Sequence, residues 1–206
     1  MSSLRGLSLT AACLNAGLAP SIKDYGARRT EDGFERTVGV NHFGHLKMVQ
    51  SGLVPMLEKG ERGRIVVTAS GVHDPDSPGG KQGSAAGLGA LSGIELSGRG
   101  CEMIDGGKYD PDKAYKDSKL CNVFFTRELQ ARLNKEGSGV TANCFTPGLI
   151  VSTGLFREQN PLFTKVRWSE GRLESQDGCS LNSNKRPPPS TPITNNLSTD
   201  YFSYRS

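Results

Sequence analysis

The chain has 206 residues, of which 35% are hydrophobic and 22% charged, and its 25 Lys and Arg against 21 Asp and Glu leave a net charge of +4. That length suits one domain with a sizeable core, and so mild a basic excess, without clustered cations, argues against a nucleic-acid partner. Five widely spaced cysteines, Cys13, Cys101, Cys121, Cys144 and Cys179, with no Cys-x-x-Cys, suggest neither a disulfide framework nor a metal cluster and fit a reducing compartment. No apolar run approaches the roughly 18 residues of a membrane-spanning helix. The opening Met1 to Thr10 is Ser-rich and acid-poor, which faintly resembles an organelle transit segment.

In chain order, residues 8–14 read as a short buried strand that leaves the sheet at Asn15-Ala16-Gly17, with Pro20 as punctuation. From Asp32 to about Lys59, Phe34, Val38, Phe43, Leu46, Val49, Leu53 and Leu57 recur at helical spacing behind a Thr30 cap, predicting one long helix bent near Gly52 or Pro55. The β-branched run Ile65 to Thr68 predicts a strand buried on both faces and ending at Ser70. A Gly-rich insertion, 71–112, follows. It reads either as a lid lined by Leu88, Leu91, Ile94 and Leu96 or as a solvent-exposed excursion. A second helix is expected from Lys113 to Lys135, with Leu120, Val123, Phe124, Leu129 and Leu133 as its apolar stripe and Gly137 as its stop. Val140 to Phe145 then predicts a third strand, ended by Pro147-Gly148. Alternating strands and helices give an α/β fold, a partial Rossmann-like parallel sheet flanked by helices, over residues 1–165. Residues 166–206 are polar, carry three consecutive prolines and show no period, which predicts a disordered tail.

Tyr115 and Lys119 stand one helical turn apart, so an ammonium can sit near a phenol. A tyrosine pKa of ~10 would need about 4 kcal/mol of differential stabilisation to reach neutrality. A cation about 4 Å away at an effective dielectric of about 20 supplies that much. Ser70 ends a parallel strand, where ligands of open α/β sheets bind, and its hydroxyl could orient the phenol or reach a substrate carbonyl. Asn41 stands in mid-helix, where an asparagine needs a partner, and it could hold a water that relays protons to Lys119. Gly17 would let a nucleotide approach the backbone closely. His42 and His45, three apart with no evident third ligand, fit packing or capping better than a metal site.

Asn15-Ala16-Gly17, Asn41, Ser70, Tyr115-Lys116-Asp117-Ser118-Lys119 and Thr146-Pro147-Gly148, in that order, resemble the short-chain dehydrogenase/reductase superfamily over roughly residues 8–165. Within it the chain is most similar to the light-dependent protochlorophyllide oxidoreductases. Val40 to His45, the insertion, Met103 to Gly107, Lys113 to Asn122 and Thr153 to Arg157 carry that likeness. The resemblance implies NADPH as cofactor, protochlorophyllide as substrate, light-driven reduction to chlorophyllide and a chloroplast location. It implies Tyr115 as proton donor, Lys119 as the residue that binds the nicotinamide ribose and depresses the Tyr115 pKa, Asn41 in the relay and Ser70 as catalytic serine. Asn15, Ala16, Gly17, Pro147, Gly148 and Thr153 would line the cofactor, and Cys121 and Phe156 the pigment. For Cys121 the residues alone favour a buried packing role. Homo-oligomer formation and peripheral membrane association stay open.

The chain departs from the family pattern in three places. Pro147-Gly148-Leu149 stands where plant and cyanobacterial members usually have Pro-Gly-Cys, the likeness stops after Lys165, and no Gly-x-x-x-Gly-x-Gly precedes Asn15. The expectation is therefore a fragment without the N-terminal nucleotide-binding half, with its first strand exposed along one edge and little or no activity alone. The competing expectations are a dark-active reductase of apolar carbonyls, similar to retinol dehydrogenases, and a non-catalytic pigment-binding or interaction protein.

Overall fold

The computed structural model describes residues 7–95, 102–148, 150, 154–156 and 158. Thr153, Leu149, Leu96, Cys101, Cys179 and the polar tail lie outside the described residues.

Three strands, β1 (Ala11–Leu14), β2 (Arg64–Thr68) and β3 (Thr141–Phe145), form one sheet in the order β1-β2-β3. Both pairings are parallel, with Ala11 opposite Arg64 and Arg64 opposite Thr141. β2, with a neighbour on each side, is the apolar centre: Ile65 and Val67 are fully buried. β1 pairs with β2 alone among the described strands and leaves Ala11 and Cys13 exposed, so of this strand only Leu14 is buried. The short strand is thus buried only at its end, and its exposed residues agree with the expectation of an edge left open. β3 likewise exposes Thr141, Asn143 and Phe145.

The connection from β1 to β2 contains helix α1, residues 36–58, in which regular segments alternate with two π-helical ones, Gly39–Phe43 and Val49–Leu53. It starts four residues later than the apolar spacing suggests. Thr30 is not its cap; the Glu35 carboxylate accepts from the backbone N–H groups of Thr37 (2.8 Å) and Val38 (2.9 Å), a glutamate doing what Asp or Ser usually does. The expected bend falls at Gly52, whose φ of +110° only glycine adopts readily. After a short helix α2 (Ser92–Glu95), helix α3 (Pro111–Lys135) leads to β3. Asp110 caps it through Asp112 N–H (3.0 Å) and Lys113 N–H (3.1 Å), Pro111 fits a first-turn position where no N–H is needed, and Gly137 at φ +69° ends it. Leu129 and Leu133 bury as the stripe predicts, but Phe124 is exposed and Phe125 takes the inward place.

Polar side chains make up an unusual share of the interior. Asn41, Ser118, Lys116, Asp117 and Asn122 are each at most 1% exposed, so α1 and α3 meet through hydrogen bonds as much as through apolar contact.

Candidate active site

Because the strands are parallel, the segments that leave them emerge at one end of the sheet: Asn15-Ala16-Gly17 after β1, Ser70 after β2 and Thr146-Pro147-Gly148 after β3. The Thr68 hydroxyl donates to the Asn15 side-chain oxygen at 2.7 Å, and Ala69 N–H donates to the Phe145 carbonyl at 2.9 Å, tying these exits together. The turn Gly154–Phe156 reaches the same place, since Ala19 N–H donates to the Leu155 carbonyl at 3.2 Å.

Helix α3 crosses this end and presents Tyr115, Ser118, Lys119 and Asn122, at spacings of three and four, to the sheet and to α1. Burial pushes the Tyr115 phenol up to about 12, outweighing the neighbouring Ser70 side chain, which tends to lower it. The Lys119 ammonium lies over the Tyr115 ring, 5.5 Å from its centroid, and donates to the Thr68 carbonyl at 3.1 Å. Burial brings its own pKa down from 10.5 to about 8. The expectation that Lys119 depresses the phenol is thus reversed in this structure. The cation faces the ring rather than the oxygen, and desolvation governs both groups. At neutral pH Tyr115 holds its proton and Lys119 is mostly charged.

Asn41 lies in the first π-helical segment and is wholly buried. Its amide oxygen accepts from Leu18 N–H (2.8 Å), and its amide nitrogen donates to the Leu18 carbonyl (3.0 Å) and to the Ser118 hydroxyl (3.0 Å). A water relay through this amide does not fit those bonds. Asn41 positions instead: it joins the loop after β1 to helix α3. Ser118 completes the link by donating to the Tyr115 carbonyl at 2.7 Å.

Asn122 escaped the sequence reading. Its amide nitrogen donates to the carbonyls of Asn41 (3.1 Å) and Thr68 (3.2 Å), and its oxygen pairs with Nδ1 of His42 at 3.1 Å. Its position three residues beyond Lys119 and seven beyond Tyr115 was the available signal. His42 is buried against Phe125 in an edge-on ring contact, and burial lowers its pKa to about 4, so it is a neutral packing residue. His45 is buried one turn further on, and burial lowers its pKa too. Among the described residues no group of three His, Cys, Asp or Glu side chains is arranged to hold a metal ion.

Cys121 lies about 120° around α3 from Tyr115. It packs in an apolar cluster with Val38 and Ile104, bordered by Phe43, Leu88, Leu91 and Ile94, and burial pushes its thiol pKa up. Among the described residues of the insertion, Leu88, Leu91 and Ile94 pack on this cluster, while 81–85 are exposed. Beside the cluster a small recess opens between Phe34, Val38 and Phe43 of the α1 side and Ile94, Met103 and Ile104 of the insertion. Asn15, Ala16, Pro147 and Gly148 are exposed at the sheet end; of Phe156 only the backbone is described, within the turn beside Ala19.

No protein-family model matches the chain. It is 40% identical over 138 residues to protochlorophyllide reductase B, chloroplastic, of Oryza sativa subsp. japonica, a match covering 65% of this chain and 34% of the relative. The chain spans about a third of the length of the curated relatives it matches. Among solved structures, a short-chain dehydrogenase/reductase of unknown function from Caenorhabditis elegans superposes with a TM-score of 0.50 at 18% identity, over 78% of this chain and 48% of that one. The 3-alpha-hydroxysteroid dehydrogenase of Pseudomonas sp. B-0831, complexed with NADH, gives a TM-score of 0.50 at 21% identity, over 80% and 59%. The chain has part of the Rossmann-like fold of short-chain dehydrogenases and resembles the protochlorophyllide reductases in sequence.

Proposed function

We propose that the chain carries the proton-donating part of an NADPH-dependent reductase that reduces the ring D double bond of protochlorophyllide, giving chlorophyllide under illumination, in the chloroplast. The observation that carries this reading is the meeting of Ser70, Tyr115 and Lys119 at the carboxyl end of a parallel sheet. The similarity to reductases named for that pigment supports the choice of substrate.

The nicotinamide end of the cofactor suits the residues present. Lys119 uses one N–H on the Thr68 carbonyl, and an ammonium has two more to offer a ribose. Asn15, Ala16, Gly17, Tyr115, Pro147 and Gly148 would line that end, and Thr153 is assigned with them from the sequence alone. No Gly-rich turn for the pyrophosphate occurs in the sequence before Asn15. When bound, the cofactor would supply a hydride.

Tyr115 then does what its environment favours. Holding its proton at Oη well beyond neutral pH, it is a general acid aimed by the Ser70 hydroxyl, and it gives that proton to the carbon left electron-rich by hydride addition. Lys119, beside the ring, would hold the nicotinamide ribose with the N–H groups it does not spend on Thr68. Ser118, Asn41 and Asn122 hold these two residues in place.

The test is illumination of the purified chain with NADPH and protochlorophyllide, followed by absorption. A red-shifted chlorophyllide band, absent in the dark and in Tyr115→Phe, supports the reading. Saturable binding of both ligands with no light-dependent shift would overturn it, and dark turnover of an apolar carbonyl would replace it with a conventional reductase.

A further inference from the structure

Two lysines and an aspartate on α3 hold the insertion, and none of them is needed by the proton-transfer scheme. Lys116 is 1% exposed although it stands in a charged turn of helix under an exposed stretch of the insertion. Its ammonium pairs with Asp112 at 2.7 Å and donates to the backbone carbonyls of Ser84 (3.0 Å), Gly80 (3.5 Å) and Gln82. One turn earlier, Lys113 donates to the Gly87 carbonyl at 2.7 Å and pairs with Asp117 at 2.6 Å and Asp105 at 2.9 Å. Asp117, buried, accepts from Gly87 N–H at 2.8 Å. Two stretches of the insertion are thus bonded to the turn of helix that carries Tyr115: residues 80–87 through Lys116, Lys113 and Asp117, and residue 105 through Lys113.

An ammonium buried this deeply is tolerated only where its donors are matched. Three backbone carbonyls and a carboxylate give Lys116 a coordination shell that water would otherwise provide. Backbone carbonyls converge on one cation only if the loop keeps a fixed curvature. Asn41 and Ser118 make the α1–α3 contact on the opposite flank, so the helix is braced on both sides of Tyr115.

We propose that Lys113, Lys116 and Asp117 are specificity-determining positioning residues. They clamp residues 80–88 of the insertion against α3, with Leu88, Leu91 and Ile94 packed on the apolar cluster of Val38, Ile104 and Cys121, so that this apolar face is preformed and a large flat apolar substrate meets it without closure of a lid. This rests on the function proposed above only for the identity of the substrate. The clamp itself is a statement about the chain without ligand.

Hydrogen exchange by mass spectrometry on the full chain tests it. Within 80–88 the amides of Gly80, Lys81 and Gly87, which donate to Ser77 and Asp117, are expected to be protected in the native chain, and Lys116→Met should raise their exchange by tenfold or more while peptides within 120–133 stay unchanged. Asp117→Asn, which preserves shape, is a second variant, expected to accelerate the Gly87 amide selectively. Native exchange of 80–88 at the unstructured rate, or no acceleration in both variants, overturns the clamp. Fluorescence titration with protochlorophyllide then separates wall from scaffold: a tenfold or greater rise in Kd in Lys116→Met, with the native melting profile kept, supports the positioning role. An unchanged Kd alongside a loosened segment overturns it. Failure of the native chain to bind the pigment, with 80–88 protected, would sink the substrate assignment while supporting the clamp.

Discussion

Replacing Lys119 by methionine should stabilise the folded chain at neutral pH. The ammonium is 4% exposed, and burial lowers its pKa from 10.5 to about 8. Between those values the unfolded chain keeps the proton and the folded chain has released it, so wild-type stability rises with pH across the window and is lowest below pH 8. At 1.36 kcal/mol for each pH unit of the gap, the folded wild type gives up about 3 kcal/mol at pH 7 relative to pH 10.5. Methionine has no such term, and it leaves no orphan behind, because the Thr68 carbonyl still accepts from Asn122 at 3.2 Å. Urea unfolding of both proteins at pH 7 and pH 10 isolates the effect, since the remaining titrations cancel in the difference. The variant's advantage should shrink by about 2 to 3 kcal/mol on going to pH 10. A difference that is flat with pH, or that grows, would refute the argument that desolvation governs this lysine. Proton transfer should be lost in the same variant, which would mark the residue as one kept for chemistry at the expense of stability.

On the proposed function, Tyr115→Phe lowers light-driven turnover by roughly 10²- to 10⁴-fold, the range of a lost general acid, with only a small change in the urea midpoint; single-turnover absorption after a flash measures the first and equilibrium unfolding the second. Asn41→Ala should destabilise by about 2–5 kcal/mol, because the buried N–H and carbonyl of Leu18 lose their partners together, and a midpoint shift below ~1 kcal/mol would contradict the bonding described. His42 is held neutral by burial with a pKa near 4, so the native chain should lose stability as pH falls from 6.5 towards 4, by about 3 kcal/mol in all. His42→Gln should flatten that acid limb, as read from unfolding midpoints at pH 7 and pH 4.5.

The strands and α3 could be read from the sequence because their signals are local: a β-branched run at Ile65 to Thr68, and an Asp110-Pro111 start with a Gly137 stop. The meeting of Ser70 with Tyr115 followed from parallel topology alone, which sends every strand exit to one end. The start of α1 could not be read so easily, because Glu35 as a cap competes with the commoner signal of Thr30, which spends its hydroxyl on Phe34 N–H instead. Nor could the π-helical segment at Gly39–Phe43 be foreseen from a 3.6-residue period. The electrostatics failed for a different reason. Coulomb's law at a plausible distance favours a depressed phenol, but the distance says nothing of direction or of lost water, and here the ammonium lies over the ring. Lys116 was invisible as a structural residue because a lysine in a charged helix turn is ordinarily solvated; only the loop carbonyls gathered around it make it a core residue.

From Tyr115 to Lys119 every side chain answers to a different part of the molecule: Ser70, the carbonyls of 80–84, Gly87, Asn41 and Thr68 in turn. A segment anchored along five bearings cannot rotate or slide without breaking several at once. The three inner letters of the Tyr-x-x-x-Lys pattern are therefore not free spacers, and substitutions there should survive only alongside matching changes in distant loops.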